Sequence, residues 1–82
     1  MGAHMLIRKG DSEFEISICR TDEGEWEGRI VEFKMSGLMP TPHLHHSWVS
    51  LEAALDGLAR RWRRLFPNET PPDFRQAAPP EA

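Results

Sequence analysis

Glu13-Phe14-Glu15-Ile16-Ser17-Ile18 alternates polar with large apolar side chains, and Thr21-Asp22-Glu23-Gly24 follows shortly after it. Successive strand residues point to opposite faces, so this alternation describes a strand with one face buried. Thr21 to Gly24 is polar and ends in a glycine able to take positive φ, which reads as a turn. Glu25 to Phe33 supplies the return strand, with Trp26, Ile30, Val31 and Phe33 as its large apolar residues. The segment is a β-hairpin. In front of it, Leu6-Ile7-Arg8 and Lys9-Gly10-Asp11-Ser12 read as a short strand and turn. Behind it, Ser36-Gly37 and Pro40-Thr41-Pro42 break regular structure until a last short strand at His45 to Val49, which carries Trp48 inward.

A helix follows. Ser50 is a good N-cap, Glu52 and Asp56 sit toward the positive end of the helix dipole, and Leu51, Ala54, Leu55, Leu58, Trp62, Leu65 and Phe66 share one face. Arg60, Arg61, Arg63 and Arg64 crowd the last turns, and Pro67 stops the helix. Gly57 inside it costs about 1 kcal/mol against alanine, which a close neighbour would explain. The expected fold is a small α+β two-layer sandwich: an antiparallel sheet of three or four strands packed by one C-terminal amphipathic helix, in the order β-β-β-(β)-α. One helix covers only one sheet face. With Trp26 and Ile30 turned toward it, alternation sends Val31 and Phe33 to the other side, unless a bulge near Gly28 returns one of them.

The length of 82 residues allows one domain. Met1 to His4 read as an expression-tag remnant with Met5 as initiator, residues 5–66 as the domain, and 67–82 as a mostly disordered tail in which Phe74 docks locally. The tail holds five of the seven prolines, and Phe74 is its one large apolar residue. No membrane span and no export signal are visible, so the expected location is the cytoplasm. The single cysteine, Cys19, fits a reducing compartment. A net charge of −3 speaks against a general nucleic-acid coat.

Four groups of residues bear on chemistry. His43, His45 and His46 lie close in sequence; His43 and His45 on one side of an extended segment would suit a metal, with Met35 or Met39 as soft ligands, although exposed histidines in a Pro-flanked loop are the plainer reading. Arg60, Arg61, Arg63 and Arg64 form a basic patch suited to carboxylate or phosphate, although the helix dipole and an Asp56–Arg60 pair explain basic residues there without a ligand. Trp62 beside them belongs to the core face. The acids Asp11, Glu13, Glu15, Asp22, Glu23, Glu25, Glu27 and Glu32 read as a solvated hairpin face. Cys19 reads as a small strand residue with no activating neighbour, and glycine-rich phosphate loops, nucleophile elbows and ordered triads are absent from the sequence. No enzyme and no cofactor is expected.

The order hairpin, irregular loop, short strand and then Ser50-Leu51-Glu52-Ala53-Ala54-Leu55 opening a helix resembles the partial RNase H-like domain of HicB-type antitoxins, over Phe14 to Phe66. Two features depart from that family. Gly37-Leu38-Met39-Pro40-Thr41-Pro42 stands where it has a Pro-Gly-Cys type of loop, and no DNA-binding helix-turn-helix or ribbon-helix-helix follows. The resemblance implies a bacterial protein-binding module without a DNA-binding half. The reading is therefore a small non-enzymatic interaction module that binds another protein or itself, through Val31, Phe33, Arg60, Arg61, Arg63 and Arg64. RNA or DNA binding by Arg60 to Arg64 is the second reading, and metal binding by His43 to His46 the third.

Overall fold

In the computed structural model, which describes residues 3–37 and 39–80, the hairpin alternation becomes a burial pattern. Phe14, Ile16 and Ile18 are 4%, 0% and 0% exposed, and the polar residues between them face the other way. The strands are β1 (Ala3–Lys9), β2 (Ser12–Arg20), β3 (Trp26–Lys34) and β4 (Thr41–Trp48); helix α1 spans Leu51–Leu65, and a 3-10 helix spans Phe74–Ala77. The sheet is an antiparallel meander in the order β1-β2-β3-β4. Ala3 and His4, read as a tag remnant, open β1 and pair with Ile18 and Ser17. Gly10 turns β1 into β2 at φ 59°, as a two-residue hairpin with glycine at its first central position requires.

Two expectations about the second half of the sheet are corrected. β4 begins at Thr41 rather than His45, and Pro42 is accommodated because β4 is an edge strand that need not donate outward. No bulge occurs in β3 at Gly28, since the β2–β3 register is unbroken from Ser12↔Lys34 to Arg20↔Trp26. The irregularity lies in β4. Ile30 pairs with Leu44 but Val31 pairs with Pro42, leaving His43 as the extra residue.

Ser50 caps α1 by accepting from the Ala53 amide at 3.1 Å, and Ala54, Leu58 and Trp62 are its buried residues. Gly57 has the close neighbour its cost implies. A Cβ there would lie 2.3 Å from Cζ2 of Trp48, and one on Gly28 would lie 3.1 Å from Cζ3 of the same ring. The Trp48 indole thus fills a slot between two glycines, one in β3 and one in α1. That contact holds the helix over β3 and β4.

A helix about 10 Å across covers roughly two strands spaced about 4.8 Å apart, so half of the inner sheet face is left. The C-terminal segment covers it. In the segment expected to be mostly disordered with Phe74 docking locally, the 3-10 helix packs on β1 and β2, with Phe74 3% and Ala77 0% exposed. Phe74 meets Trp62 edge-on at 5.9 Å, and Trp62, Phe66 and Phe14 continue the aromatic cluster. The segment is also tied by ion pairs of Arg75 with Glu52 and of Lys9 with Glu69. Its prolines limit the unfolded chain, so ordering it loses less entropy than its length suggests. No helix among the described residues is long and apolar enough to cross a membrane.

Two substitutions test this packing. Gly57→Ala should gain about 1 kcal/mol of helix propensity yet destabilise by about 1–3 kcal/mol net through the clash with Trp48. Urea unfolding reads the sign, and adding Trp48→Phe should recover part of the loss. Phe74→Ala should lower the urea midpoint by the equivalent of about 3 kcal/mol or more; an undocked tail would leave it unchanged.

Candidate functional site: the uncovered sheet face and the helix end

Among the described residues, no layer covers the outer face of the sheet. Cross-strand pairing sets out its rows: Arg8, Glu13 and Phe33; then Leu6, Glu15, Val31 and Pro42; then His4, Ser17, Arg29 and His45; and finally Cys19, Glu27 and Ser47. Val31 and Phe33 thus stand where alternation placed them. Val31 is half-buried, Phe33 is 39% exposed and Leu6 54%, while Met35 and Met39 are exposed at the end of the sheet nearest Phe33. Glu13 and Glu15 of β2 stand between Leu6 on the β1 side and Val31 and Phe33 on the β3 side, and Arg8 lies directly across from Glu13.

The histidine group does not assemble. His43, displaced by the bulge, turns to the helix side, stacks on Phe14 at 5.8 Å and contacts the Glu32 carboxylate at 2.8 Å. His45 lies on the outer face, 2.9 Å from Glu27. His46 packs against Trp48. Each of the first two imidazoles has its own carboxylate, and the bulge has broken the spacing that would have put both on one side. Among the described residues no group of three or more His, Cys, Asp or Glu side chains is placed to hold a metal ion, and the candidates His43, His45 and His46 do not converge on one point.

One cluster escaped the sequence reading. Glu32 pairs across from Phe14, so it points inward at the end of the core, where Ser12 donates its hydroxyl to Oε2 and His43 meets Oε1. The signal was present, because an inward Ile30 implies an inward Glu32. The Ser12 and His43 hydrogen bonds hold the Glu32 carboxyl below its ordinary 4.5, helped by Lys34 and opposed by burial. Its order is wrong for a nucleophilic relay: serine and histidine both bind the carboxylate, and the imidazole does not stand between them. A carboxylate of lowered pKa is also a weak base toward a hydroxyl.

Cys19 is quiet for a related reason. Burial, and then Glu27, which accepts from the thiol at 3.5 Å, push it above its ordinary 9.0. The thiolate is the nucleophile, so this environment suppresses it at neutral pH.

The arginines divide. Arg60 pairs with Asp56 at 2.7 Å, as their spacing implies, and Arg61 donates to the carbonyl of His43 at 2.9 Å, fastening α1 to the bulge. Arg63 and Arg64 form no hydrogen bond or ion pair among the described residues. Arg60, Arg61 and Arg64 line a shallow recess of about 190 Å³ with Leu44 and Gly57, and Arg63 lies outside it.

No protein-family model, curated protein or solved structure matches the chain.

The Glu32 cluster predicts a pH dependence. Its carboxyl is lowered in the folded state, so its contribution is complete above the unfolded value near 4.5 and is lost as pH falls through the lower folded value. Glu27, lowered by its hydrogen bond to His45, acts in the same direction. Urea midpoints measured from neutral pH into acid should fall more steeply for the wild-type chain than for Glu32→Gln; parallel curves would remove Glu32 from the acid response.

Proposed function

We propose that this chain is a small non-enzymatic protein-interaction module, of the antitoxin-like kind that its helix opening and hairpin resemble, acting through the outer sheet face. The observation that carries this reading is the unequal treatment of the two faces. The inner face is covered by α1 and by the C-terminal segment, whereas Leu6, Val31 and Phe33 lie on an outer face that no layer covers among the described residues. Val31 and Phe33 beside Glu15 and Glu13, with Leu6 beyond them, fit a partner segment presenting apolar and basic side chains together. The expected absence of catalysis draws support from the Ser12–Glu32–His43 arrangement and from the suppressed Cys19 thiol. The arginine end of α1 supplies a second contact surface of opposite charge.

The recess lined by Arg60, Arg61 and Arg64 favours nucleic acid as the second reading. Asp56 and the His43 carbonyl already engage two of these three guanidiniums, which weakens it. Backbone binding would make affinity fall with salt at a log–log slope of about −0.9 per phosphate contacted.

The test is capture from a lysate of the source organism, with and without nuclease, with the wild-type chain and Phe33→Glu side by side. Phe33 is 39% exposed, so its replacement leaves the core intact. A partner retained by the wild type should be recovered about tenfold less by the variant, the equivalent of about 1.4 kcal/mol. Equal recovery would remove this face. Recovery that nuclease abolishes, and that Arg60→Ala with Arg64→Ala weakens, would replace the proposal with the nucleic-acid reading.

A further inference from the structure

The two edges of the sheet are built differently. On β4, Pro42 lacks an N–H, His43 bulges out of register, and the Arg61 guanidinium occupies the His43 carbonyl. Proline, bulges and covering side chains are the devices that keep edge strands from pairing with other chains. Among the described residues β1 has none of them. Its seven residues, Ala3 to Lys9, pair one-to-one with β2 without a break. No backbone hydrogen bond reaches its free edge from the C-terminal segment among the described residues. The charges that could guard it, Arg8 and Lys9, sit at one end; Lys9 is engaged by Glu69 and the Phe66 ring, and Arg8 points to the outer face, across from Glu13. The middle is Met5-Leu6-Ile7, with Leu6 54% exposed and Met5 and Ile7 only half-buried against the core.

We propose that β1 pairs antiparallel with β1 of a second copy of this chain, with Leu6 on the two-fold axis, forming one continuous eight-stranded sheet. The residue pattern selects this register. Centred on Leu6, it opposes Leu6 to the partner's Leu6, Met5 to the partner's Ile7 and Ile7 to the partner's Met5, so the unguarded apolar residues cover one another. Centred on Met5, it would oppose Leu6 to the partner's His4; centred on Ile7, it would oppose Leu6 to the partner's Arg8 and Met5 to the partner's Lys9. Directly opposed residues point to the same side of a sheet. Both helices therefore lie on one face, and both Val31–Phe33 strips lie on the other. The pairing uses the backbone edge of β1; Leu6 is common to that edge and to the outer face, so Phe33→Glu, which alters the face alone, separates this proposal from the partner-binding reading.

Sedimentation equilibrium of the full chain over a concentration series should reach a mass twice the 9.4 kDa of one copy. Leu6→Lys should return it to the single-copy mass with an unchanged urea midpoint, while Phe33→Glu should leave the dimer intact. In a Cys19→Ser background, Leu6→Cys should oxidise to an inter-chain disulfide, since opposed strand residues lie about 4.5–5.5 Å apart. Arg8→Cys should not, because the two copies of that position would lie about 14 Å apart along the strands. A chain that stays at single-copy mass throughout overturns the proposal. So does a dimer broken by Phe33→Glu and not by Leu6→Lys, and so does a disulfide at position 8 as efficient as that at position 6.

Discussion

The indole of Trp48, wedged between Gly28 of β3 and Gly57 of α1, is the contact on which the arrangement of the molecule rests. Without a Cβ on either side, helix and sheet approach to the thickness of one aromatic ring. α1 is thereby placed over β3 and β4 and cannot also lie over β1 and β2. A more central helix would have left a margin of sheet on either side, each too narrow for another element to cover. The off-centre helix leaves one broad margin. The segment from Pro67 onward fills it with Phe74 and Ala77, and Trp62 serves as the shared wall between helix and tail.

The same placement accounts for the polar end of the core. Beyond Ile30 the inner row of β3 would continue with another apolar residue, but Glu32 stands there, with Ser12 and His43 completing its hydrogen bonds. The bulge at His43 makes this closure feasible: it turns the imidazole inward and presents its carbonyl to Arg61, so helix, edge strand and hairpin meet at one carboxylate. No buried side-chain nitrogen or oxygen is left without a partner among the described residues. A half-satisfied group of this kind would cost more than an apolar plug, so Ser12, Glu32 and His43 act as a unit that seals the core.

The features legible in the sequence are those set by neighbours along the chain. Alternation gave the hairpin and the outward direction of Val31 and Phe33, capping and apolar spacing gave α1, and the cost of glycine in a helix signalled a close contact at Gly57. The features that were not legible depend on distant partners. Whether His43 faces the same side as His45 is decided by a register slip between β3 and β4, and no periodicity within His43 to His46 encodes it. Whether a proline-rich segment orders depends on whether a naked apolar surface waits within reach, which is a property of the sheet and not of the segment. Weighing Phe74 alone also missed Ala77, which is fully buried because the site it enters is small.

These constraints leave little surface for function. Phe14, Ile16, Ile18, Trp26, Ile30, Leu58 and Trp62 are all committed to the inner layer, and the glycine slot admits no further side chain. In a domain this small the core is stable only by a narrow margin, so no inner residue is available for a ligand cleft without loss of fold. The outer face is under no such demand, because the polar members of each alternation suffice to keep it wet. An apolar residue there gains only partial burial and cross-strand contact in the isolated monomer. Phe33 and Leu6 are the large apolar residues exposed on that face, and the two proposals give each a cover that burial of apolar surface would favour: another protein on the face and a second copy along the β1 edge.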